Sequence, residues 1–277
     1  MLSDAAPILL ESLPPVTQPN YWDIHDAAVA RGETTYIDPE TGFMVFTSLG
    51  LKARERCCGA GCRHCPFGHE AVPIKRRGAR IQQAAWLTEA RPDEDAPVTA
   101  LFWSGGKDSF LTLRALQRQG VRPIVLLTTF DAQSRLIAHQ EFAIDEVIMQ
   151  AVHLGLPVIG VPLHPGGDYL DHLTPALDLV PSCDTLAFGD LHLRHIREWR
   201  EEAFGGHART RDLALSFPLW KADYADLLAD FEASGATSVI SAITKDMPGV
   251  AVGDTFDRDL IARLPDGVDP FGENGEF

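Results

Sequence analysis

The feature that most constrains the fold of this chain is a regular alternation of two kinds of segment from residue 98 onward. Short apolar runs of strand length alternate with longer segments in which apolar residues recur at helical spacing. The predicted strands are 98–103, 122–130, 156–163, 185–191, 214–220 and 237–244. The predicted helices are 110–120, 139–155, 168–180, 194–206 and 222–235. Repeated strand–helix units predict an α/β fold with a doubly wound, mostly parallel sheet, which binds ligands at the carboxyl ends of its strands.

The loop after the first of these strands carries the strongest functional signal, and it reads Ser104-Gly105-Gly106-Lys107-Asp108-Ser109. Its two glycines let the backbone turn tightly and approach a ligand, and the start of the next helix attracts negative charge. The serines add hydroxyl donors, Lys107 adds a positive charge, and Asp108 can hold Mg²⁺ or cap the helix. The loop is not a Walker A motif, but it predicts a seat for a polyphosphate. The alternative is an ordinary glycine turn with a serine or aspartate cap.

The chain divides into two predicted domains, 1–95 and 96–277. Residues 1–20 are rich in proline and small residues and are expected to be loose, and a short helix is predicted over 80–90. The polar segment 91–97 contains two prolines and marks the predicted boundary. No apolar run approaches the roughly 20 residues of a membrane span. The first residues lack the basic region of a secretory signal, so a cytoplasmic location is the expectation.

Charge is distributed unevenly along the chain. The whole chain has a net charge of −15, which argues against a protein that coats nucleic acid over its entire surface. Residues 50–80 nevertheless hold eight basic residues against two acidic ones, a net charge of +6, so the rest of the chain carries −21. This basic segment predicts either a solvated surface or a contact with an anion or RNA.

Four of the five cysteines lie within nine residues, at Cys57, Cys58, Cys62 and Cys65. In a cytosolic chain such a cluster indicates metal binding rather than disulfides. The Cys62-x-x-Cys65 spacing is typical of a metal knuckle, and Pro66 after the last cysteine is found in iron–sulfur motifs. A [4Fe–4S] cluster and a structural zinc ion both remain open, as does a set of unliganded thiols. The segment is similar to a small Cys-rich domain of unknown function.

Residues 104–109 resemble the SGGxDS signature of the PP-loop ATP pyrophosphatases, which have a HUP-type fold. Three further segments resemble one branch of that family, the diphthine–ammonia ligases. These are Gly189-Asp190-Leu191 with Arg197, Arg200 and Glu201 after it, the FPLW segment 217–220, and the GENGE segment 272–276. The resemblance covers about residues 97–277. It implies that a substrate carboxylate is adenylated by ATP, pyrophosphate leaves, and ammonia displaces AMP to form an amide.

The resemblance implies that ATP phosphates and Mg²⁺ bind at residues 104–109. It also implies that Lys107 and Asp108 act in catalysis, with further roles for Asp190, Arg197, Glu273 and Glu276. The residues themselves allow simpler interpretations. Arg197 and Glu201 can form an ion pair on a solvated helix face, and GENGE can be a polar turn. The acceptor, a small molecule or a protein side chain, stays open, and so does the oligomeric state.

Two other functions remain as alternatives. The first is an iron–sulfur-dependent tRNA thiolation enzyme of the PP-loop class, which the basic Cys-rich segment motivates. The second is a non-enzymatic binding module with a vestigial loop. Cys183 is expected to be a small buried residue rather than a sulfur-carrying nucleophile.

Overall fold

A computed structural model of the protein describes residues 21–39, 41–93, 96–137, 142–166, 168–244 and 247–277. Residues 1–20, expected to be loose, lie outside these ranges. The first part of the chain forms small elements: α1 (Tyr21–Ala30), β1 (Thr35–Ile37), β2 (Met44–Phe46), α2 (Ser48–Lys52), α3 (Ile74–Arg80) and β3 (Ala85–Trp86). Strands β1 and β2 form an antiparallel hairpin. We call residues 21–80 the Cys-rich module, because the four clustered cysteines lie within it.

The remainder alternates strands and helices as predicted. Its strands are β4 (Val98–Phe102), β5 (Ile124–Asp131), β6 (Val158–Leu163), β7 (Cys183–Ala187) and β8 (Ala214–Ser216). Its helices are α4 (Lys107–Arg118), α5 (Ile144–Leu154), α6 (Tyr169–Leu173), α7 (Arg194–Gly206), α8 (Tyr224–Ser234) and α9 (Arg258–Ala262). A 3-10 helix, Thr174–Leu179, follows α6, where a single α-helix was predicted over 168–180.

Six strands form one sheet in the order β3-β6-β5-β4-β7-β8. Strands β4 to β8 run parallel, and only the edge strand β3 is antiparallel to its neighbour. The chain therefore moves from β4 through β5 to β6 on one side and returns to place β7 and β8 on the other. Such a switch point opens a crevice at the carboxyl ends of the strands. The expected α/β class with a mostly parallel, doubly wound sheet and a small Cys-rich N-terminal region is confirmed.

Both faces of the sheet are covered, as its strands predict. Leu126 packs in the core on one face with Leu113 and Val147, while Leu127 packs on the opposite face with Phe204. Adjacent residues of a strand point to opposite faces, so a continuous apolar run implies burial on both. Of the helices in the described ranges, none is long and apolar enough to cross a bilayer.

Two predicted elements were wrong. No helix covers the expected range 80–90, because helix α3 ends at Arg80. The chain then forms strand β3, in which Ala85 pairs with Gly160 at the edge of the sheet. Leu87 is fully buried there and fills the space above Gly160, where a Cβ would lie 2.4 Å from Leu87 Cδ1. Packing thus overrides helix propensity, and residues 85–87 join the sheet. They precede the predicted domain boundary at 95/96, which stays a prediction.

The strand predicted over 237–244 is not part of the six-stranded sheet. Val239 instead forms an antiparallel bridge with Thr255, supported by the bond from Ile240 N to Asp254 O (2.8 Å). Ile240 is buried in a third apolar cluster, which joins α4 and α8 to the last residues of the chain. The segment is extended and buried, as its composition indicated, but it packs the C-terminal region against the site described next.

Candidate functional site

The loop after β4 makes a tight turn that is fixed by a glycine and two serine hydroxyls. Gly105 has a φ of +81°, and a Cβ there would lie 2.8 Å from Phe142 Cζ and 2.9 Å from Gln150 Oε1. The Ser109 hydroxyl donates to Gly106 O (2.8 Å), and the Ser104 hydroxyl accepts from Gly106 N (3.3 Å). Only glycine meets both requirements at position 105, the left-handed backbone and the close approach.

Helix α4 begins directly after this turn, at the switch point of the sheet. Its N-cap is Gly106, whose missing side chain leaves the start of the helix without a side-chain cap. The first-turn N–H groups and the positive end of a 12-residue helix therefore face the carboxyl edge of the sheet. Gly189, which follows β7, lies against the same turn, with a virtual Cβ only 3.2 Å from Asp108 O.

Lys107 and Asp108 form an ion pair at the N terminus of α4, with Nζ 3.0 Å from Oδ2. The Lys107 ammonium also lies over three rings of the C-terminal region, 5.3 Å from the Phe256 centroid, 5.5 Å from Phe271 and 6.0 Å from Phe277. These rings stabilise the cation by cation–π attraction. The loop and the last residues of the chain therefore meet at one place.

Asp108 is partly buried at the start of α4. Its Oδ1 is buried and has no hydrogen-bond partner among the described residues. Burial raises the pKa of Asp108, Lys107 opposes that shift, and the charges of Asp269 and Asp190 add to it. Burial also raises the pKa of Glu273, with a contribution from Asp108. Four carboxylates thus lie within electrostatic reach of one another.

Asp190 is held by Arg200, not by Arg197. Arg200 donates from Nε to Asp190 Oδ2 (2.7 Å) and from Nη2 to Oδ1 (3.2 Å). Arg197 instead pairs with Glu201, with Nε 2.8 Å from Oε1, and stacks on Phe217 at 4.6 Å from the ring centroid. Of the two arginines considered, the structure therefore places Arg200 against the strand-end carboxylate. The Arg197–Glu201 ion pair is the i,i+4 pair that the sequence allowed as a simpler interpretation of these two residues.

The two glutamates of the GENGE segment have different surroundings. Glu273 faces the site, where its Oε2 accepts from His192 N (3.1 Å). Glu276 is 1% exposed and turns into its own loop, accepting from Asp269 N (3.3 Å) and Asn274 N (3.0 Å). Glu276 therefore holds the shape of the turn and Glu273 lies at its open side.

Two residues of the site were not among those selected from the sequence. Tyr224, at the start of α8, donates its hydroxyl to Asp269 Oδ2 (2.8 Å), and its ring stacks on Phe271 at 4.6 Å. Burial and the charge of Asp269 raise the pKa of Tyr224. Asp269 lies in the DPFGENGE run, so the motif itself contained that signal, whereas nothing local marked Tyr224.

The four clustered cysteines form two pairs. Cys58 Sγ lies 3.3 Å from Cys62 Sγ, and Cys65 Sγ lies 3.8 Å from Cys57 Sγ. Thiolates that share a tetrahedral zinc are separated by about 3.8 Å, which is the spacing of the Cys57–Cys65 pair, whereas the Cys58–Cys62 pair is closer. In the described ranges no three His, Cys, Asp or Glu side chains gather closely enough to hold an ion. Metal binding by the four cysteines therefore stays a prediction.

Cys183 lies apart from this cluster at the start of β7. Burial raises the pKa of its thiol to about 11. The thiol is therefore protonated at neutral pH, which agrees with a packing role and not with a nucleophile.

Comparison with known proteins gives two findings. Residues 24–71 match a family of unknown function (DUF5522). The chain is also similar to crystal structures of the FMN adenylyltransferase of Candida glabrata. For its complex with ATP the identity is 15%, the TM-score 0.33, and the coverage 50% of this chain and 46% of that chain. For its complex with FAD and inorganic pyrophosphate the identity is 15%, the TM-score 0.33, and the coverage 50% of this chain and 48% of that chain. The chain thus spans less than half of those enzymes.

Proposed function

We propose that this protein is an enzyme that binds ATP and Mg²⁺ at residues 104–109 and transfers AMP to an acceptor, with release of pyrophosphate. The observation that carries the proposal is the uncapped N terminus of α4 directly after the Gly105 turn, at the switch point of the sheet. In open α/β sheets this crevice is where ligands bind. The resemblance of the loop to the PP-loop signature supports the same assignment.

The charges of the site suit a nucleotide and its metal ion. Backbone N–H groups at the start of α4 and the ammonium of Lys107 would meet the phosphates. Mg²⁺ in such sites uses one or two carboxylates together with the substrate phosphates. Asp108, with its unpartnered buried oxygen, and Asp269 fit that need. The ion would neutralise phosphate charge as pyrophosphate leaves.

The finer proposal is an AMP-forming amide ligase similar to the diphthine–ammonia ligases. A carboxylate oxygen of the acceptor attacks the α-phosphorus of ATP, and the bond to the β-phosphate breaks to release pyrophosphate. Ammonia then attacks the acyl carbon, and AMP leaves. Glu273, which faces the site and whose pKa burial raises, is assigned to take the proton lost by the attacking nitrogen. The Asp190–Arg200 pair is assigned to position the acceptor.

ATP–pyrophosphate exchange tests both levels of this proposal. Purified protein is incubated with ATP, Mg²⁺ and labelled pyrophosphate, with and without a panel of carboxylates. We expect acceptor-dependent exchange that Asp108→Asn abolishes, and AMP release that additionally requires ammonium. Exchange without any use of ammonium would overturn the ligase and leave the nucleotidyl transfer. No ATP binding in calorimetry would overturn both.

A second candidate is sulfur transfer to tRNA, favoured by the surface of the Cys-rich module. Six of its basic side chains are exposed and have no carboxylate partner in the described part of the chain. They are Lys52, Arg54, Arg56, Lys75, Arg76 and Arg80. Nitrocellulose filter binding of tRNA at several salt concentrations tests this candidate. Binding that weakens steeply with salt supports it, and no retention at low salt overturns it.

A further inference from the structure

A cavity of about 840 Å³ lies between the Cys-rich module and the carboxyl end of β6. Helix α1 and the loop around Cys65 form one side, and the residues after β6 with the start of α6 form the other. None of residues 104–109 lines it, so it is distinct from the proposed phosphate site. A cavity of this volume is large enough for a small organic molecule.

Five flat side chains line this cavity. The His25 and His64 rings are stacked, with centroids 3.8 Å apart and an interplanar angle of 20°. Trp22 meets His64 edge-on at 4.5 Å, and His164 lies 5.7 Å from His172. His25, His64 and His164 are buried in the cavity wall, whereas Trp22 and His172 are partly exposed. A partly exposed ring contacts a planar ligand over a large area at little entropic cost.

The lining of the cavity also carries negative charge. It contains five aspartates and, within the described ranges, no lysine or arginine; the five are Asp23, Asp26, Asp168, Asp171 and Asp178. Asp178 is balanced from outside by Arg209. Burial lowers the pKa of His164 to about 4, so this imidazole adds no positive charge at neutral pH. Asp26 Oδ1 lies 2.7 Å from His25 Nδ1, and Asp171 Oδ1 lies 3.8 Å from His207 Nε2. The aspartates still outnumber the cations beside the lining, which favours a cationic ligand.

The hydrogen bonds assign the histidine tautomers on the β6 side. His164 Nε2 donates to Gln82 O (2.8 Å), so its Nδ1 accepts from the Tyr21 hydroxyl. His172 Nδ1 donates to Asp168 O (2.7 Å), which leaves Nε2 as an acceptor, and this atom has no partner among the described residues. His172 Nε2 is itself buried, so the acceptors open to a ligand on that side of the cavity are the carboxylates of Asp168 and Asp171.

We propose that this cavity is a binding site for a small planar organic cation that carries several N–H donors, such as an amidine, a guanidine or an aromatic amine. The cationic head lies towards the carboxylates of Asp168 and Asp171, and the flat body lies against the partly exposed Trp22 ring. This site does not include residues 104–109, so the proposal does not depend on the proposed nucleotidyl transfer.

Benzamidine and benzamide test the proposal, because they have nearly the same shape and differ in charge. Titration calorimetry on the full chain measures both ligands. We expect benzamidine to bind with a Kd of millimolar order or tighter, and benzamide to bind about tenfold more weakly or less. Equal affinity of the two ligands, or no benzamidine binding, would overturn the proposal.

Variants locate the binding. Asp171→Asn removes charge at an exposed position and is expected to fold normally, and Trp22→Ala removes a ring face. Each is expected to weaken benzamidine binding by about two- to fivefold, since an exposed ion pair or a cation–π contact is worth about 0.5–1 kcal/mol. Asp266→Asn, an exposed aspartate on a distant loop, is the matched control. Unchanged affinity in both cavity variants would show that benzamidine binds elsewhere and would refute this site.

Discussion

Arg200 and Asp190 form a two-point ion pair, with donor–acceptor distances of 2.7 and 3.2 Å, between helix α7 and the end of strand β7. The Arg200 guanidinium also lies 4.5 Å above the Phe188 ring. Both partners are mostly buried, with side chains 20% and 11% exposed. This pair fixes the direction of the carboxylate that follows β7, one strand away from the phosphate loop.

Substitution of Arg200 by Gln is therefore expected to impair the reaction more than the fold. Charge-assisted hydrogen bonds are worth about 1.5–3 kcal/mol, so ATP–pyrophosphate exchange should fall by about ten- to a hundredfold. Arg194→Gln on the same helix removes only an exposed pair with Glu198 and serves as the control. A positioning role predicts a changed KM for the acceptor and an unchanged KM for ATP. Equal losses in both variants would contradict it.

Gly105→Ala is expected to abolish ATP binding. The new methyl group would meet Phe142 and Gln150 at less than 3 Å, and the positive φ adds strain of about 1–3 kcal/mol. Gly120→Ala is the matched control, because its φ of +75° is similar but its surroundings are open. Thermal melts and ATP calorimetry separate the two effects. The control should lose stability and keep ATP affinity, and loss of affinity there would contradict the steric argument.

Asp108 and Glu273 make the stability of the free protein dependent on pH. A carboxyl group whose folded pKa lies above its unfolded value holds its proton more tightly in the folded state. Its contribution to the free energy of unfolding therefore falls as pH rises from about 4 through the raised pKa. For both groups the shift is upward, so the empty site is least stable above that window.

Asp108→Asn should therefore stabilise the free protein while it removes activity. We expect a higher Tm than wild type at pH 8, a difference that shrinks towards pH 4, where the wild-type carboxyl is protonated as well. Addition of ATP and Mg²⁺ should raise the Tm of the wild type more than that of the variant. The exposed Asp266→Asn variant should show no such pH trend. A variant less stable than wild type at pH 8 would contradict the burial argument.

The elements around this site could be predicted because their signals are local. The apolar run that became Val98–Phe102 and the periodic segment that became Arg194–Gly206 lie within a residue of their expected bounds. Which of Arg197 and Arg200 faces the strand end could not be predicted, because residues three apart on a helix lie on neighbouring faces. Tyr224 was missed for a related reason, since its contact with Asp269 joins residues 45 positions apart.

Strand β3, at the edge of the sheet, could not be predicted from local sequence at all. Residues 80–90 have the composition of a helix, yet Ala85 and Trp86 form a strand. The decisive contact is Leu87 against Gly160, which exists only once the sheet is assembled. A short segment of ambiguous periodicity takes the structure that buries its apolar side chains.

Metal analysis of the Cys-rich module distinguishes the remaining interpretations of its four thiols. We expect anaerobically purified protein to contain stoichiometric iron with sulfide, or zinc, and Cys62→Ser and Cys65→Ser to lose it. Cys183→Ser is the control, since that thiol lies apart from the cluster at the start of β7. An absorption band near about 400 nm would identify iron–sulfur. Protein that is free of iron and zinc after anaerobic purification would contradict metal binding.

Glu273 and Glu276 should separate function from stability within one short segment. Glu276→Ala removes an acceptor for the N–H groups of Asp269 and Asn274. Leaving such buried donors unpaired costs about 1–3 kcal/mol, so the Tm should fall. Glu273→Gln keeps an acceptor for His192 N and removes a carboxylate whose pKa burial raises, so the Tm should rise at pH 8 while ammonium-dependent AMP release slows. Release that Glu273→Gln leaves intact would remove this residue from the proposed proton transfer.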